Sequence, residues 1–225
     1  MAHPFTQRFG KPSPAVPSDL RFSGRSNQMA WDMNLREIGS GWFMDRFLYL
    51  FGGGLGRLHA CLDAWSFLVP PGKERVVIGR NAYGTLLVLE DLEREQQVYL
   101  LDPLRVVYWT DPNLVLAMLF GRWLARAQLP HFFDDELYRL IVRGGAHLPD
   151  DVILAAKKPL ALGGDMLPDN FQEEEIVSYY ESTAPMYAKA FARMQEGGGK
   201  ASAARTKPGT AKKKAAPKKG AAKRR

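Results

Sequence analysis

The sequence has little cysteine: Cys61 is the single one in 225 residues. One cysteine cannot form a disulfide within the chain, so the fold does not depend on an oxidising compartment. Cys61 lies among Leu58, Leu62 and Trp65, a spacing typical of the buried face of a helix. We therefore expect a small core side chain rather than a nucleophile, because a nucleophilic cysteine needs a stabilised thiolate.

Long hydrophobic runs are absent as well. No uncharged stretch approaches the roughly 18 residues that span a bilayer. The first ten residues contain His3, Pro4 and Arg8 and have no apolar core of the kind found in secretion signals. An apolar fraction of 46% is nevertheless enough for an ordinary hydrophobic core. The sequence predicts a cytoplasmic protein without membrane contacts.

Recognisable catalytic motifs are missing. The glycines of 52–56 precede a predicted helix, but they lack the Gly-Lys-Ser/Thr of a phosphate loop and the spacing of a dinucleotide-binding turn. The segment 39–41 is too short for a nucleophile elbow. Two His-x-x-Asp pairs, at 131–134 and 147–150, could ligate a metal, although each Asp also suits a helix cap. We predict no enzyme, no cofactor and no metal; nucleotide binding, metal binding and an uncharacterised hydrolase are the alternatives.

The net charge of +7 is distributed very unevenly. Residues from Gly197 onward carry eleven of the 31 Lys and Arg and none of the 24 Asp and Glu, which leaves residues 1–196 with a net charge of −4. This Lys/Ala/Pro-rich tail has almost no apolar bulk and is predicted to be disordered. A flexible polycation binds nucleic acid nonspecifically through counterion release. The residues expected to make such contacts are Lys212, Lys213, Lys214, Lys218, Lys219, Lys223, Arg224 and Arg225.

The hydrophobic period changes near residue 74. Before it, the pattern predicts an extended arm over 3–27 and helices over 41–51 and 57–67. After it, short β-branched strands are predicted at 75–78, 85–89, 97–101 and 105–109, with connections that fit antiparallel hairpins. Further helices are predicted to begin at Asp111, Asp134, Asp150 and Asn170, the last with a kink at Pro185 and an end at Gly197.

These elements predict an α+β fold: an antiparallel β-meander flanked by helices, with a disordered basic tail. The predicted domains are an N-terminal arm and helical region (1–70), an α+β domain (71–196) and the tail (197–225). Gly163 and Gly164 are predicted to form a tight turn with positive φ rather than a ligand loop.

Several segments resemble type VI secretion immunity proteins. The residues are Lys-Pro-Leu-Ala-Leu-Gly-Gly at 158–164, Asp169-Asn170, and the aromatic helix with Tyr179-Tyr180. The segments 80–86 and 98–103 are similar to two strand motifs expected upstream, and Phe9-Gly10-Lys11-Pro12 resembles the opening of a GAD-like domain. The resemblance implies a non-catalytic protein that neutralises a cognate secreted toxin, in known cases a nuclease, and a fold similar to the SUKH-type immunity superfamily. The basic tail is not part of the pattern.

The sequence thus predicts an immunity protein of a toxin–antitoxin pair, whose partner is a toxin. The alternative is a DNA- or nucleoid-associated accessory protein that acts through its tail. An immunity protein needs a charge-complementary face and no active site. The densest acidic groups are the predicted contacts for a basic partner: Glu90, Asp91, Glu93, Glu95, Asp134, Asp135 and Glu136.

Overall fold

The structure is a computed structural model that describes residues 3–22, 25–90, 96–142 and 147–203. A six-stranded antiparallel sheet lies at the centre of the fold, and each strand pairs with the next one along the chain. The strands are β1 (Gly41–Phe43), β2 (Leu48–Leu50), β3 (Arg75–Asn81), β4 (Leu86–Glu90), β5 (Gln97–Asp102) and β6 (Val107–Trp109). The predicted α+β class and antiparallel meander are confirmed, and two strands before residue 74 extend the meander.

Helices and a small second sheet surround this meander. The helices are α1 (Pro4–Phe9), α2 (Arg25–Ile38), α3 (His59–Ala64), α4 (Leu116–Met118), α5 (Glu136–Ile141) and α6 (Ile176–Ala203), with a π-helical segment at Leu119–Leu124. Short 3₁₀ turns lie at Leu55–Leu58, Leu160–Leu162 and Pro168–Asn170. The second sheet consists of two antiparallel strands, β7 (Val152–Ala156) and β8 (Phe171–Glu175).

The helix predicted over 41–51 is wrong, because this segment forms the hairpin of β1 and β2. The chain reverses through Met44, Asp45 and Arg46, all of which have positive φ. Every residue of β1 and β2 is buried, so the apolar residues on either side of Asp45 and Arg46 do not alternate with polar ones. Hydrophobic periodicity cannot separate a buried strand from a buried helix in such a run.

Three other predicted helices differ from the structure. The helix predicted at Asp150 is wrong, since β7 occupies this position. The Asn170 side chain does not cap a helix; it bonds to the backbone N–H and carbonyl of Lys158, and β8 separates it from α6. The helix predicted from Asp111 begins only at Leu116, and α6 continues through Pro185 and past Gly197. Part of the predicted extended arm is helical, as α1 and the first turn of α2.

The inner strand β4 is buried on both faces of the sheet. Along β4, Leu87 and Leu89 pack into a cluster that includes Phe51 and Phe120. Leu86 and Val88 alternate with them and pack into a second cluster with Trp65. This strand therefore has no polar face, unlike the solvent-facing strands of most antiparallel sheets.

The outer edge of β1 is paired with the N-terminal segment rather than with another strand. Ser13 N–H donates to the Trp42 carbonyl at 2.6 Å, and Trp42 N–H donates to the Pro14 carbonyl at 3.1 Å. Val16 N–H donates to the Ser40 carbonyl at 2.9 Å. The extended part of the arm thus continues the hydrogen-bond ladder beyond β1.

The chain divides into two units after Ala188, and both sheets lie in the first. The domain boundary predicted between residues 70 and 71 falls between α3 and β3, inside this unit. Among the described residues, no helix is both long enough and apolar enough to cross a membrane.

Candidate partner-binding groove

The helix α5 is held on the body by its inner face. Leu137 and Tyr138 are buried, and the Tyr138 hydroxyl donates to the Asp45 carbonyl at 2.8 Å. The backbone N–H of Tyr138 donates to the hydroxyl of Tyr83 at 2.9 Å. These bonds fix the rotation of α5, so that Glu136, Arg139 and Leu140 are exposed.

The outward face of α5 borders a groove of about 510 Å³, here called the acidic groove. Its lining combines carboxylates and apolar side chains: Phe133, Asp134, Asp135, Glu136, Leu137, Leu140 and Met166. Leu140 is 51% exposed and Met166 is 36% exposed, although both are large apolar residues. Exposed apolar side chains bordered by charge are typical of protein interaction sites.

The three carboxylates of the acidic groove differ in their solvent exposure and in the ion pairs that they already form. Asp134 is 60% exposed and lies 2.8 Å from His131 Nδ1. Asp135 is only 14% exposed, and its carboxylate accepts from Arg139 Nε at 2.6 Å. Glu136 is exposed. The structure therefore brings the predicted contacts 134–136 together, with Asp134 and Glu136 the most accessible.

Glu90, by contrast, lies inside the sheet. Its side chain is 3% exposed, and its carboxylate accepts from Arg75 Nε at 2.6 Å and from the Tyr108 hydroxyl at 2.9 Å. Lys73 Nζ lies 3.5 Å away. A carboxylate so enclosed stabilises the fold and is not exposed to a partner. The neighbouring predicted contacts Asp91, Glu93 and Glu95 lie outside the described residues.

The predicted turn at Gly163 and Gly164 follows the 3₁₀ turn Leu160–Leu162. Gly163 has a φ of 85°, in the left-handed region, as predicted, whereas the positive φ predicted for Gly164 is wrong. A Cβ on Gly164 would overlap the carbonyl oxygen of Lys158. Both positions thus serve the backbone, as a tight turn requires. The tail residues predicted to contact nucleic acid, 212–225, lie outside the described residues.

The two His-x-x-Asp pairs are placed in different surroundings. The Asp134 carboxylate lies in the acidic groove beside His131, whereas the Asp150 carboxylate pairs with Arg46. Within the described ranges, no three His, Cys, Asp or Glu side chains are grouped so that they could hold a metal ion.

A second groove, of about 360 Å³, contains two arginines, Arg57 and Arg80, that the sequence analysis did not predict as site residues. It is here called the arginine groove, and it is lined by Trp42, Tyr49, Gly53, Gly54, Leu55, Arg57, Leu58, Arg80 and Asp150. Arg80 lies on β3 and is 2% exposed. One feature of the sequence could have identified Arg80, namely a charged residue within an apolar strand. Lysine and arginine are almost never fully buried without a partner, so such a residue is a candidate for a binding site.

Comparison with known proteins gives a structural likeness alone. No family model matches the chain, and no curated protein matches it. The fold is similar to the crystal structure of Atu4351 from Agrobacterium tumefaciens, with 16% sequence identity and a TM-score of 0.48. The match covers 84% of this chain and 89% of that one.

Proposed function

We propose that this protein is a non-enzymatic immunity protein that binds and neutralises a cognate secreted toxin, and that the toxin docks in the acidic groove. The observation that carries the proposal is the exposure of Leu140 and Met166 directly beside Asp134 and Glu136. The resemblance of segments 80–103 and 158–180 to type VI secretion immunity proteins supports the class of function.

The two components of the groove have different physical roles. Burying exposed apolar side chains supplies most of the affinity of a protein interface. Carboxylates around them guide the approach of a basic partner and set the salt dependence of the association rate. A nuclease toxin suits this arrangement, since an enzyme that binds the phosphate backbone presents a basic surface. The net charge of −4 on residues 1–196 adds to the attraction.

The test uses the product of the reading frame adjacent to this gene. Co-expression with the full chain should restore growth to cells that the toxin arrests, and the two proteins should co-purify in a fixed stoichiometry. Failure of both growth rescue and complex formation would exclude immunity against that toxin.

The contact face is tested by charge reversal. The double variant D134K/E136K should associate about tenfold more slowly at low salt, because the steering charges are reversed. The matched control is D32K/E37K, which makes the same change in net charge at two exposed residues of α2. An equal effect of both variants on the stopped-flow association rate would rule out the acidic groove as the docking face.

The tail supports a second candidate function. Its eleven positive charges without a single acid are suited to tethering the protein to nucleic acid. In that case the tail would be the binding element and the body an accessory domain.

A further inference from the structure

Arg80 carries a buried charge without a carboxylate partner. Its guanidinium donates to the carbonyl of Asp150 at 2.6 Å and to the carbonyl of Asn81 at 3.3 Å, and both acceptors are neutral. Among the ion pairs in the described part of the chain, none includes Arg80. A buried charge is costly unless an opposite charge compensates it.

The neighbouring charges offset this charge only in part: Asp150 attracts Arg80, whereas Arg57 and Arg46 repel it. The Asp150 side chain is 71% exposed and its carboxylate pairs with Arg46. The Asp19 carboxylate accepts from Gly54 N–H at 3.0 Å. Burial first, and then the positive charge of Arg57, lower the pKa of Arg80 to about 10. The guanidinium is still protonated at neutral pH, and the groove carries an excess of positive charge, since its described lining has two arginines, Arg57 and Arg80, and one carboxylate, Asp150.

The Arg80 guanidinium is held rigidly. Its central carbon lies 4.9 Å from the centroid of the Trp42 ring, and that of Arg46 lies 4.8 Å from the same ring. Stacking on an aromatic ring and two carbonyl bonds leave a guanidinium little freedom, while several of its five N–H donors are not used by these bonds. Arg57 lines the same groove and donates to the Asp150 carbonyl at 3.4 Å.

Two residues of the glycine cluster, Gly53 and Gly54, line the same groove. The Tyr49 hydroxyl donates to the Gly53 carbonyl at 2.8 Å, and a Cβ on Gly52 would overlap this hydroxyl. The missing side chains therefore let the chain pass close to Tyr49 and leave backbone, rather than side-chain atoms, beside the arginines. The glycines of 52–56 do not match a phosphate-loop motif, yet Gly53 and Gly54 border a groove with an excess of positive charge.

We propose that the arginine groove binds a tetrahedral oxyanion, a phosphate or the phosphate group of a small ester, through Arg57 and Arg80. Two guanidinium groups can donate to several oxygens of one phosphate, which is the geometry that arginine recognises best. The volume of about 360 Å³ exceeds what one phosphate fills, which favours an ester with a small organic part. This site is independent of toxin binding in the acidic groove.

The experiment is a titration of the full chain with inorganic phosphate at constant ionic strength, and ¹⁵N NMR spectra recorded during the titration monitor binding. The amide signals of Gly53 and Gly54 and the Arg80 Nε signal report on the groove itself, so phosphate bound to the Lys-rich tail does not contribute. These signals should shift in a saturable way. Sodium chloride at the same ionic strength should give no saturable shift.

Arg57→Gln tests the arginine directly and removes an exposed side chain, so the fold should survive. Loss of one charged hydrogen-bond donor should weaken phosphate binding by about tenfold or more. The matched control is Arg122→Gln, because Arg122 is exposed and also lies over an indole, 5.4 Å from the Trp123 ring centroid. It should bind phosphate as the unchanged chain does.

Three results would overturn the proposal. The first is a response to phosphate no different from that to chloride. The second is equal binding by Arg57→Gln and the unchanged chain. The third is saturable binding of acetate without binding of phosphate, which would make the groove a carboxylate site. None of these bears on toxin neutralisation, which is measured separately.

Discussion

The carboxylate of Glu90 lies between Arg75 and Tyr108 inside the sheet, where water cannot replace a lost partner. Glu90→Gln should therefore lower the free energy of unfolding by about 3 kcal/mol, because it leaves Arg75 buried without its counter-ion. Urea unfolding monitored by tryptophan fluorescence measures this change. The control Asp134→Asn alters an exposed carboxylate and should change stability by less than about 0.5 kcal/mol. Similar values for the two variants would contradict the structural role of Glu90.

Cys61 is fully buried on α3, and burial is the main cause that raises the pKa of its thiol to about 12. At pH 8 the thiolate is a minor species in a site that reagents cannot enter. We expect the native chain not to react with Ellman's reagent, and the chain in concentrated urea to release one equivalent of product. Rapid reaction of the native protein would show that α3 opens readily.

In the turn at Gly163 and Gly164, alanine substitutions at the two neighbouring positions should destabilise the protein to different extents. Gly164→Ala should destabilise the protein by about 2 kcal/mol, because the added methyl group overlaps the Lys158 carbonyl. Gly163→Ala should cost about 1 kcal/mol through its left-handed φ alone. Thermal unfolding distinguishes them from Gly121→Ala, where the Cβ meets nothing within 4 Å and alanine suits the helical backbone, so that stability should be unchanged or rise by up to about 1 kcal/mol. Equal stability of all three variants would contradict this account.

The elements also show what the sequence could and could not predict. The strands β3 to β6 were predictable because β-branched residues alternate with clear turn residues. The hairpin of β1 and β2 was not predictable, because both strands are buried on every side and their sequences show no alternation of apolar and polar residues. Asp150 looked like a helix cap, but it lies just before β7, where its carbonyl and carboxylate engage arginines.

The exposure of the candidate site residues was also predictable only in part. Asp134 and Glu136 could be predicted as exposed because they open an amphipathic helix. Glu90 could not be told from them, because its burial depends on Arg75 and Tyr108, which lie on other strands. The exposure of Leu140 and Met166 depends on the path of distant segments, which single-sequence patterns do not contain.

Deletion of residues 197–225 separates the two candidate functions. It removes eleven positive charges and leaves the sheet and the acidic groove intact. An immunity protein should keep its toxin affinity within about twofold, whereas a tail-tethered protein should lose salt-sensitive binding to DNA and its function with it. Toxin affinity by calorimetry and DNA binding by fluorescence anisotropy, measured on the same variant, decide between them. Loss of toxin binding on deletion would contradict docking through the acidic groove alone.

The pairing of residues 13–16 with β1 limits the association of copies of this protein through their sheet edges at high concentration. An open sheet ends in unpaired N–H and C=O groups, and such an edge can template growth into polymers. Here the proline-containing arm already occupies one edge, and Pro14 has no N–H with which to extend the ladder further. The opposite edge is β6, which is only three residues long. Residues 13–16 therefore protect the edge of β1 from pairing with a strand of another copy. Deletion of these residues would expose that edge and favour polymerisation.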